Sequence, residues 1–135
     1  MATIRLEVVT PERMVLEDDA DIVVVRGAEG DLGVLHGHEP LITPLEIGEL
    51  MYRKSGEEVV LAVLGGFLEV RPDKVVVLAD AAEGPQDIDR QQAEQDRRQA
   101  ESALSGQQSD SERAEANRTL QRAQVRLRVA DRAGR

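Results

Sequence analysis

The stretch Val59-Val-Leu-Ala-Val-Leu-Gly-Gly-Phe-Leu-Glu-Val70 is the most apolar part of the chain and the best guide to its fold. Its nearly uncharged part, residues 59–68, is about half as long as a membrane-spanning helix. Valine and leucine flanking a glycine pair are typical of β-structure. We predict two strands here, 58–64 and 67–70, paired across Gly65-Gly66.

The sequence on either side continues the β-pattern. Ile4, Leu6 and Val8 alternate with less apolar residues, as in a strand with one buried face. Turn signals such as 54–57 and 71–74 recur every 8–12 residues, a spacing typical of sandwiches and flattened barrels. Residues 1–84 are therefore predicted to form an antiparallel β-sandwich, or flattened barrel.

From residue 87 onward the period changes, and an antiparallel two-helix hairpin is predicted over 87–135. Asp87 is predicted to cap the first helix, which should run to about Leu104. Ser109 and Glu112 form a capping box that starts the second helix. An a/d-type seam along this second helix consists of Ala116, Leu120, Ala123, Leu127 and Ala130. The fold class is α+β.

The hairpin seam consists mostly of alanine. An alanine methyl contributes only about 0.8 kcal/mol when buried, and isolated helices of this length are marginal in water. The seam could therefore open and be offered to another helix. A static helical appendage is the alternative that composition leaves open.

Composition restricts the function. The chain carries a net charge of −9 and has one Phe, one Tyr and no Trp, which argues against nucleic acid as a partner. It contains no cysteine and none of the common catalytic motifs, so no enzyme activity is expected. The charge is uneven: residues 1–86 carry net −10 and residues 113–135 carry net +5. This asymmetry suggests modules with different partners. No signal peptide is apparent, and an intracellular protein is expected.

The segment GDLGVLHGHEP, residues 30–40, contains the only two histidines, His36 and His38. Two histidines without a third ligand are a weak indication of a metal site. The glycines and Pro40 are better explained as the backbone requirements of a tight, exposed connection between strands. No metal is therefore assigned.

The same segment, extended to Leu45, resembles the signature loop of the epsilon subunit of bacterial F-type ATP synthases. The G-G-F-L-E-V run at 65–70, the V-V-T-P opening at 8–11 and the helical hairpin resemble that family too. One departure is His36, where the family usually has proline.

This resemblance implies a β-sandwich followed by two helices. It also implies a non-catalytic central-stalk subunit at the cytoplasmic face of the cell membrane, peripheral to it. Such a subunit binds the gamma subunit and rests on the c-ring of the proton-translocating enzyme. The interface candidates that the resemblance suggests are Leu32, Val34, Leu35, His38 and Pro40.

The resemblance further implies that the C-terminal helices extend and inhibit ATP hydrolysis. In the extended state they contact an acidic segment of a catalytic beta subunit. The cations of the second helix that suit this contact are Arg113, Arg118, Arg122 and Arg126.

In some members of that family the folded hairpin binds ATP. The residues here that match such a site are Glu83, Ile88, Asp89, Ala93, Arg122 and Arg126. Gln92 and Gln99 stand where ATP-binding relatives have arginine. Because each charge-assisted contact contributes about 1.5–3 kcal/mol, weak or absent ATP binding is expected, and no other cofactor.

Three hypotheses are thus compared. The first is a rotor subunit that regulates ATP synthase. The second is a free-standing nucleotide-sensing module that binds ATP in its hairpin, and the third is a metal-dependent β-barrel enzyme that uses His36 and His38. The first is preferred because of the resemblance.

Overall fold

A computed structural model describes residues 2–27 and 30–133, which form eight strands followed by two helices. The strands are β1 (Ile4–Val9), β2 (Met14–Ala20), β3 (Ile22–Gly27), β4 (Gly30–Val34), β5 (Leu41–Lys54), β6 (Glu57–Val70), β7 (Lys74–Ala79) and β8 (Ala82–Glu83). A 3-10 turn, Pro85–Asp87, leads to the helices α1 (Arg90–Leu104) and α2 (Asp110–Ala133).

The strands hydrogen-bond in the order β2-β1-β7-β6-β5-β3-β4, and β8 pairs with β6. The long strands β5 and β6 run through the whole sandwich and pair in register from Leu41–Val70 to Lys54–Glu57. The predicted α+β class, a β-sandwich followed by two helices, is confirmed. Strands β1 and β7 run parallel, which differs from the predicted wholly antiparallel arrangement. Parallel neighbours need a long crossover, and the intervening strands provide it.

The predicted hairpin across Gly65-Gly66 is wrong, because β6 is one strand of 14 residues. Both glycines have positive φ, 90° and 130°, and bend the strand instead of ending it. The first half of β6 pairs with β8 and the second half with β7. A Cβ atom on Gly66 would lie 2.1 Å from the carbonyl oxygen of Leu78, so glycine permits this close approach.

The apolar run at 59–64 is continuous because β6 is buried on both faces. One face lies in the sandwich core, where Ile4, Leu6 and Val8 are fully buried as their alternation predicted. The other face packs against α2 through a second cluster, whose buried members are Val60, Ala62, Leu64, Val125 and Val129.

The segment 30–40 is a loop only in part. Residues 30–34 form strand β4 and pair with β3, and Gly37 has φ 86° in the turn that follows. The predicted connection between strands is therefore shorter and lies at residues 35–40.

The helix ends follow their capping residues. Asp89, not Asp87, caps α1, and its side chain accepts a hydrogen bond from the backbone N–H of Gln92. Asp87 instead ends the 3-10 turn and accepts from the backbone N–H of Gly84. The predicted capping box of α2 is confirmed, since Glu112 N–H donates to Ser109 Oγ at 3.2 Å and Glu112 Oε1 accepts from Ser109 N–H at 3.1 Å.

Candidate functional site

An apolar row crosses five neighbouring strands on the outer surface of the sandwich. Strand register places its members opposite one another, from β5 through β6, β7 and β1 to β2. The members are Pro44, Phe67, Leu78, Val9 and Met14. We refer to these five residues as the apolar stripe.

Three members of the apolar stripe are large side chains that remain open to solvent. Phe67 is 54% exposed, Leu78 53% and Met14 45%. Ile42 lies two residues from Pro44 on the same face of β5 and is 71% exposed. A contiguous exposed apolar patch of this kind is typical of a protein–protein interface.

Sequence reasoning missed the apolar stripe. The alternating pattern indicates which face of a strand is buried, and it carries no information on what covers the opposite face. Phe67 provided the one available signal, since it is the only phenylalanine in the chain and a large aromatic side chain on an outer face is unusual.

The predicted interface residues of segment 30–40 divide into two groups. Val34 is fully buried and belongs to the core, so the prediction that it is a contact residue is wrong. Its place on β4 opposite Val23 turns its side chain inward. Leu32 is half-buried and packs against the same core.

The other three predicted residues lie in the 35–40 loop. Leu35 is 55% exposed, Pro40 is exposed and His38 is half-buried. His38 Nδ1 lies 2.8 Å from the carbonyl oxygen of Glu39. The loop is therefore a surface feature at the end of β5, close to Ile42.

The two histidines do not complete a metal site with their surroundings. Within residues 2–27 and 30–133, no group of three or more His, Asp or Glu side chains is placed to hold a metal ion. This part of the structure therefore gives the metal-enzyme hypothesis no support.

Helix α2 carries the predicted row of arginines at four-residue spacing. Arg126 Nε donates to Glu83 Oε1 at 2.6 Å, and both side chains are 27% exposed. Arg118 forms an ion pair with Glu115 at 2.6 Å, one turn away on its own helix. That ion pair lowers the pKa of Glu115, chiefly through the hydrogen bond from Arg118. Arg113 is exposed and Arg122 is half-buried.

A second pair of arginines on α2 contacts the sandwich, and the sequence analysis did not single it out. Arg132 Nη1 lies 2.7 Å from Glu49 Oε2, and its other terminal nitrogen contacts Glu58. Arg128 Nε lies 3.4 Å from Glu49 Oε1. We refer to these four residues as the arginine clamp. Its partners lie 74 to 83 positions apart in sequence, so spacing alone gave no signal.

Two of the residues predicted for an ATP site, Glu83 and Arg126, form an ion pair where the hairpin meets β8. Arg126 is held by Glu83, and Ile88 packs against the cluster between the sandwich and α2. Asp89 caps α1, while Ala93 is buried.

The two glutamines on α1, Gln92 and Gln99, lie in different surroundings. Gln92 Nε2 donates to Asp96 Oδ1 at 2.9 Å, one turn further along α1. Gln99 lines a shallow depression beside the loop that joins α1 to α2, together with Ala103 and Thr119.

The sandwich and the hairpin both match a known family. The model described as "ATP synthase, Delta/Epsilon chain, beta-sandwich domain" matches residues 3–85. The model described as "ATP synthase, Delta/Epsilon chain, long alpha-helix domain" matches residues 86–131. The chain therefore belongs to the ATP synthase delta/epsilon chain family.

Curated relatives are similar over almost the whole chain. The ATP synthase epsilon chain of Herpetosiphon aurantiacus is 49% identical over 127 residues, covering 94% of this chain and 93% of the relative. That of Shouchella clausii is 46% identical over 134 residues, covering 99% of each. The epsilon resemblance inferred from the sequence is thus confirmed.

Solved structures share the fold. A chain in the Euglena gracilis mitochondrial ATP synthase, determined as OSCP/F1/c-ring, superposes with a TM-score of 0.80 at 22% identity. This match covers 99% of the present chain and 82% of the Euglena chain. A chain in the central stalk/c-ring of the Tetrahymena thermophila enzyme gives a TM-score of 0.64 at 14% identity, covering 98% and 96%. Neither described helix is long and apolar enough to cross a membrane.

Proposed function

We propose that this chain is a non-catalytic rotor subunit of the proton-translocating F-type ATP synthase. It joins the catalytic head to the membrane c-ring as part of the central stalk. The observation that carries the proposal is the apolar stripe, an exposed apolar surface on a member of the delta/epsilon family.

The partner proposed for the apolar stripe is the gamma subunit. Phe67 and Leu78 are rigid or branched apolar side chains at the centre of the stripe, where interface energy is usually concentrated. The apolar stripe thus presents an apolar centre on a protein of net charge −9. Such a surface suits a permanent neighbour within an assembly.

The 35–40 loop is proposed as the contact with the c-ring. Leu35 projects an exposed apolar side chain from this loop. Ile42, just after the loop, is also exposed and lies between the loop and Pro44 of the apolar stripe. One surface can thus contact the gamma subunit and the ring together, with His38 and Pro40 shaping the loop between them. As part of such a stalk the chain sits at the cytoplasmic face of the membrane, peripheral to it.

The hairpin is proposed to inhibit ATP hydrolysis when its helices extend toward a catalytic beta subunit. Its seam supports this role, because Ala93, Ala100, Ala116 and Ala123 are its buried members and alanine contributes little on burial. The exposed or half-buried cations Arg113 and Arg122 can meet an acidic segment, and Arg118 and Arg126 join them once they leave Glu115 and Glu83.

Reconstitution with the other subunits tests both halves of the proposal. The full chain should co-purify with the gamma subunit and the c-ring and should lower ATP hydrolysis. Deletion of residues 87–135 should leave assembly intact and relieve the inhibition. Failure of the full chain to bind the gamma subunit would reject the rotor assignment, and unchanged hydrolysis after the deletion would reject the inhibitory role alone.

A second candidate function is nucleotide sensing by the hairpin. It is favoured by the ion pair of Arg126 with Glu83, which brings two of the predicted site residues together between α2 and β8. The two glutamines at 92 and 99 weigh against it, since they remove two cations from a phosphate site.

A further inference from the structure

The arginine clamp lies on a different side of α2 from the arginine row at 118, 122 and 126. Arg128 and Arg132 are one helical turn apart and point toward β5 and β6, because their carboxylate partners are Glu49 and Glu58. The row and the clamp therefore have separate contacts on the folded protein.

The clamp converges on a partly shielded carboxylate. The Glu49 side chain is 23% exposed, and its two oxygens take one arginine each. Arg132 in turn spans two carboxylates from adjacent strands, an arrangement that suits the planar fork of arginine. An isolated surface ion pair contributes little, but charges that share one carboxylate are coupled to each other.

Apolar contact between α2 and the sandwich is limited by comparison. Val125 and Val129 are the side chains of α2 in the buried cluster there, and they rest on Val60, Ala62 and Leu64. These apolar residues can slide or separate without leaving a charge unpaired. The clamp adds directional polar contacts at this place along β5 and β6, in addition to the ion pair of Arg126 with Glu83.

We infer that the arginine clamp is the intramolecular docking surface that retains α2 on the sandwich, with Glu49 as its central residue. Its occupant is the C-terminal third of the same chain's α2. While the clamp is closed, Arg128 and Arg132 are paired with Glu49 and Glu58. For the assembled enzyme, the inference rests on the proposed function: opening the clamp is the step that precedes extension of the helices.

The test measures docking in the full chain. Because the sequence has no native cysteine, spin labels can be placed at Asp73→Cys on the sandwich and Gln107→Cys in the hairpin loop. Electron–electron distances then give the docked and undocked populations at about 50 mM and about 500 mM NaCl, where screening differs strongly. Glu49→Gln is the test variant. Glu57→Gln is the matched control, because it removes the same charge from an exposed site on β6 that points away from Glu58.

We expect Glu49→Gln to lower the ratio of docked to undocked chains about tenfold at low salt. Its ratio should also depend less on salt than that of the wild type. Glu57→Gln should stay within about twofold of the wild type. Combining Glu49→Gln with Arg132→Gln should cost less than the sum of the two single changes, as expected for coupled partners.

The inference would be overturned if Glu49→Gln left the docked population unchanged at both salt concentrations, as Glu57→Gln is expected to do. Strictly additive effects of Glu49→Gln and Arg132→Gln would overturn it as well. This outcome is independent of the proposed function, which depends on binding to the gamma subunit. A chain that fails to bind gamma can still show the clamp, and a chain without the clamp can still assemble.

Discussion

Phe67 and Leu78 stand directly opposite each other on the neighbouring strands β6 and β7, and each leaves more than half of its surface exposed. Both lie on the outer face of the sandwich, so neither contributes to the core. Their exposure is unfavourable in an isolated chain. It is explained if another protein covers them in the assembly.

Replacing Phe67 with glutamine tests this relationship. Because the side chain is exposed, the free energy of unfolding should change by less than about 0.5 kcal/mol. Affinity for the gamma subunit should fall about thirtyfold or more, since a buried aromatic anchor contributes about 2 kcal/mol at an interface. Titration calorimetry with purified gamma subunit measures the change, and urea unfolding confirms the fold.

Glu57→Gln is the control for Phe67→Gln, because Glu57 is exposed at the opposite end of the same strand. It should bind gamma like the wild type. Wild-type affinity in Phe67→Gln would place the gamma contact away from the apolar stripe.

Gly66 tests the bend of β6. An alanine there would bring a Cβ atom to 2.1 Å from the Leu78 carbonyl oxygen, at a φ of 130° that side chains rarely adopt. Gly66→Ala should therefore reduce the free energy of unfolding by more than about 3 kcal/mol. Urea denaturation followed by far-UV circular dichroism measures this loss.

Gly37 is the matched control for Gly66→Ala. It also has a positive φ, 86°, but an added Cβ would meet nothing within 4 Å. Gly37→Ala should cost only about 1–2 kcal/mol, the intrinsic penalty of the left-handed region. Equal losses in the two variants would show that the close contact with Leu78 is unimportant.

A buried tyrosine links β5 to β2 through a carboxylate. Tyr52 Oη donates to Asp18 Oδ2 at 3.0 Å, and Lys54 Nζ donates to Asp18 Oδ1 at 2.5 Å. The Lys54 hydrogen bond is the main cause of a lowered pKa for Asp18. Burial, and then the hydrogen bond to Asp18, raises the pKa of Tyr52 to about 12.

Asp18→Asn should therefore destabilise the sandwich in a pH-dependent way. A carboxyl group whose pKa is lowered on folding stabilises the protein above its unfolded pKa of about 4 and loses that effect as pH falls through the folded pKa. The wild type should exceed Asp18→Asn by about 1–2 kcal/mol at pH 7, and the difference should shrink below about pH 4. Urea unfolding at several pH values gives this profile.

Tyr52 provides a second measurement of the same variant. It is the only tyrosine in the chain, so an absorbance titration reports its ionisation directly. Asp18→Asn should lower the pKa of Tyr52 from about 12, because the hydrogen bond and the neighbouring negative charge are both altered. Asp73→Asn, in an exposed turn, should leave it unchanged. An unchanged pKa of Tyr52 in Asp18→Asn would contradict the proposed link.

The sequence was sufficient for the parts of the fold that depend on local patterns. Alternation identified the buried residues of β1, and the capping box at Ser109 placed the start of α2 within one residue. Glycine pairs are harder to interpret, because the same two residues can end a strand or bend it. At Gly65-Gly66 the strand bends because β6 pairs with β8 before the glycines and with β7 from Gly66 onward. These pairings join residues far apart in sequence, so a local pattern does not reveal them.

The surfaces were less predictable than the fold for the same reason. The family resemblance of segment 30–40 makes Val34 an interface candidate, yet its position opposite Val23 buries it. Val125 and Val129 lie off the a/d seam, and only the docked position of α2 explains them. The apolar stripe and the arginine clamp each join residues from distant segments, so neither had a signature in the sequence.

The ATP site that the resemblance implies lacks two of its expected cations. The wild type should show weak or no binding of magnesium-free ATP by titration calorimetry, because Gln92 and Gln99 stand where the family resemblance implies arginine in an ATP site. Arg126 must also leave Glu83, 2.6 Å away, or hold it and the phosphates together. Restoring the cations in Gln92→Arg/Gln99→Arg should raise the affinity at least tenfold, since each charge-assisted contact contributes about 1.5–3 kcal/mol. Gln107→Arg, in the exposed hairpin loop, adds a cation away from the site and should leave affinity unchanged. Micromolar binding by the wild type would show instead that the described residues suffice without the two arginines.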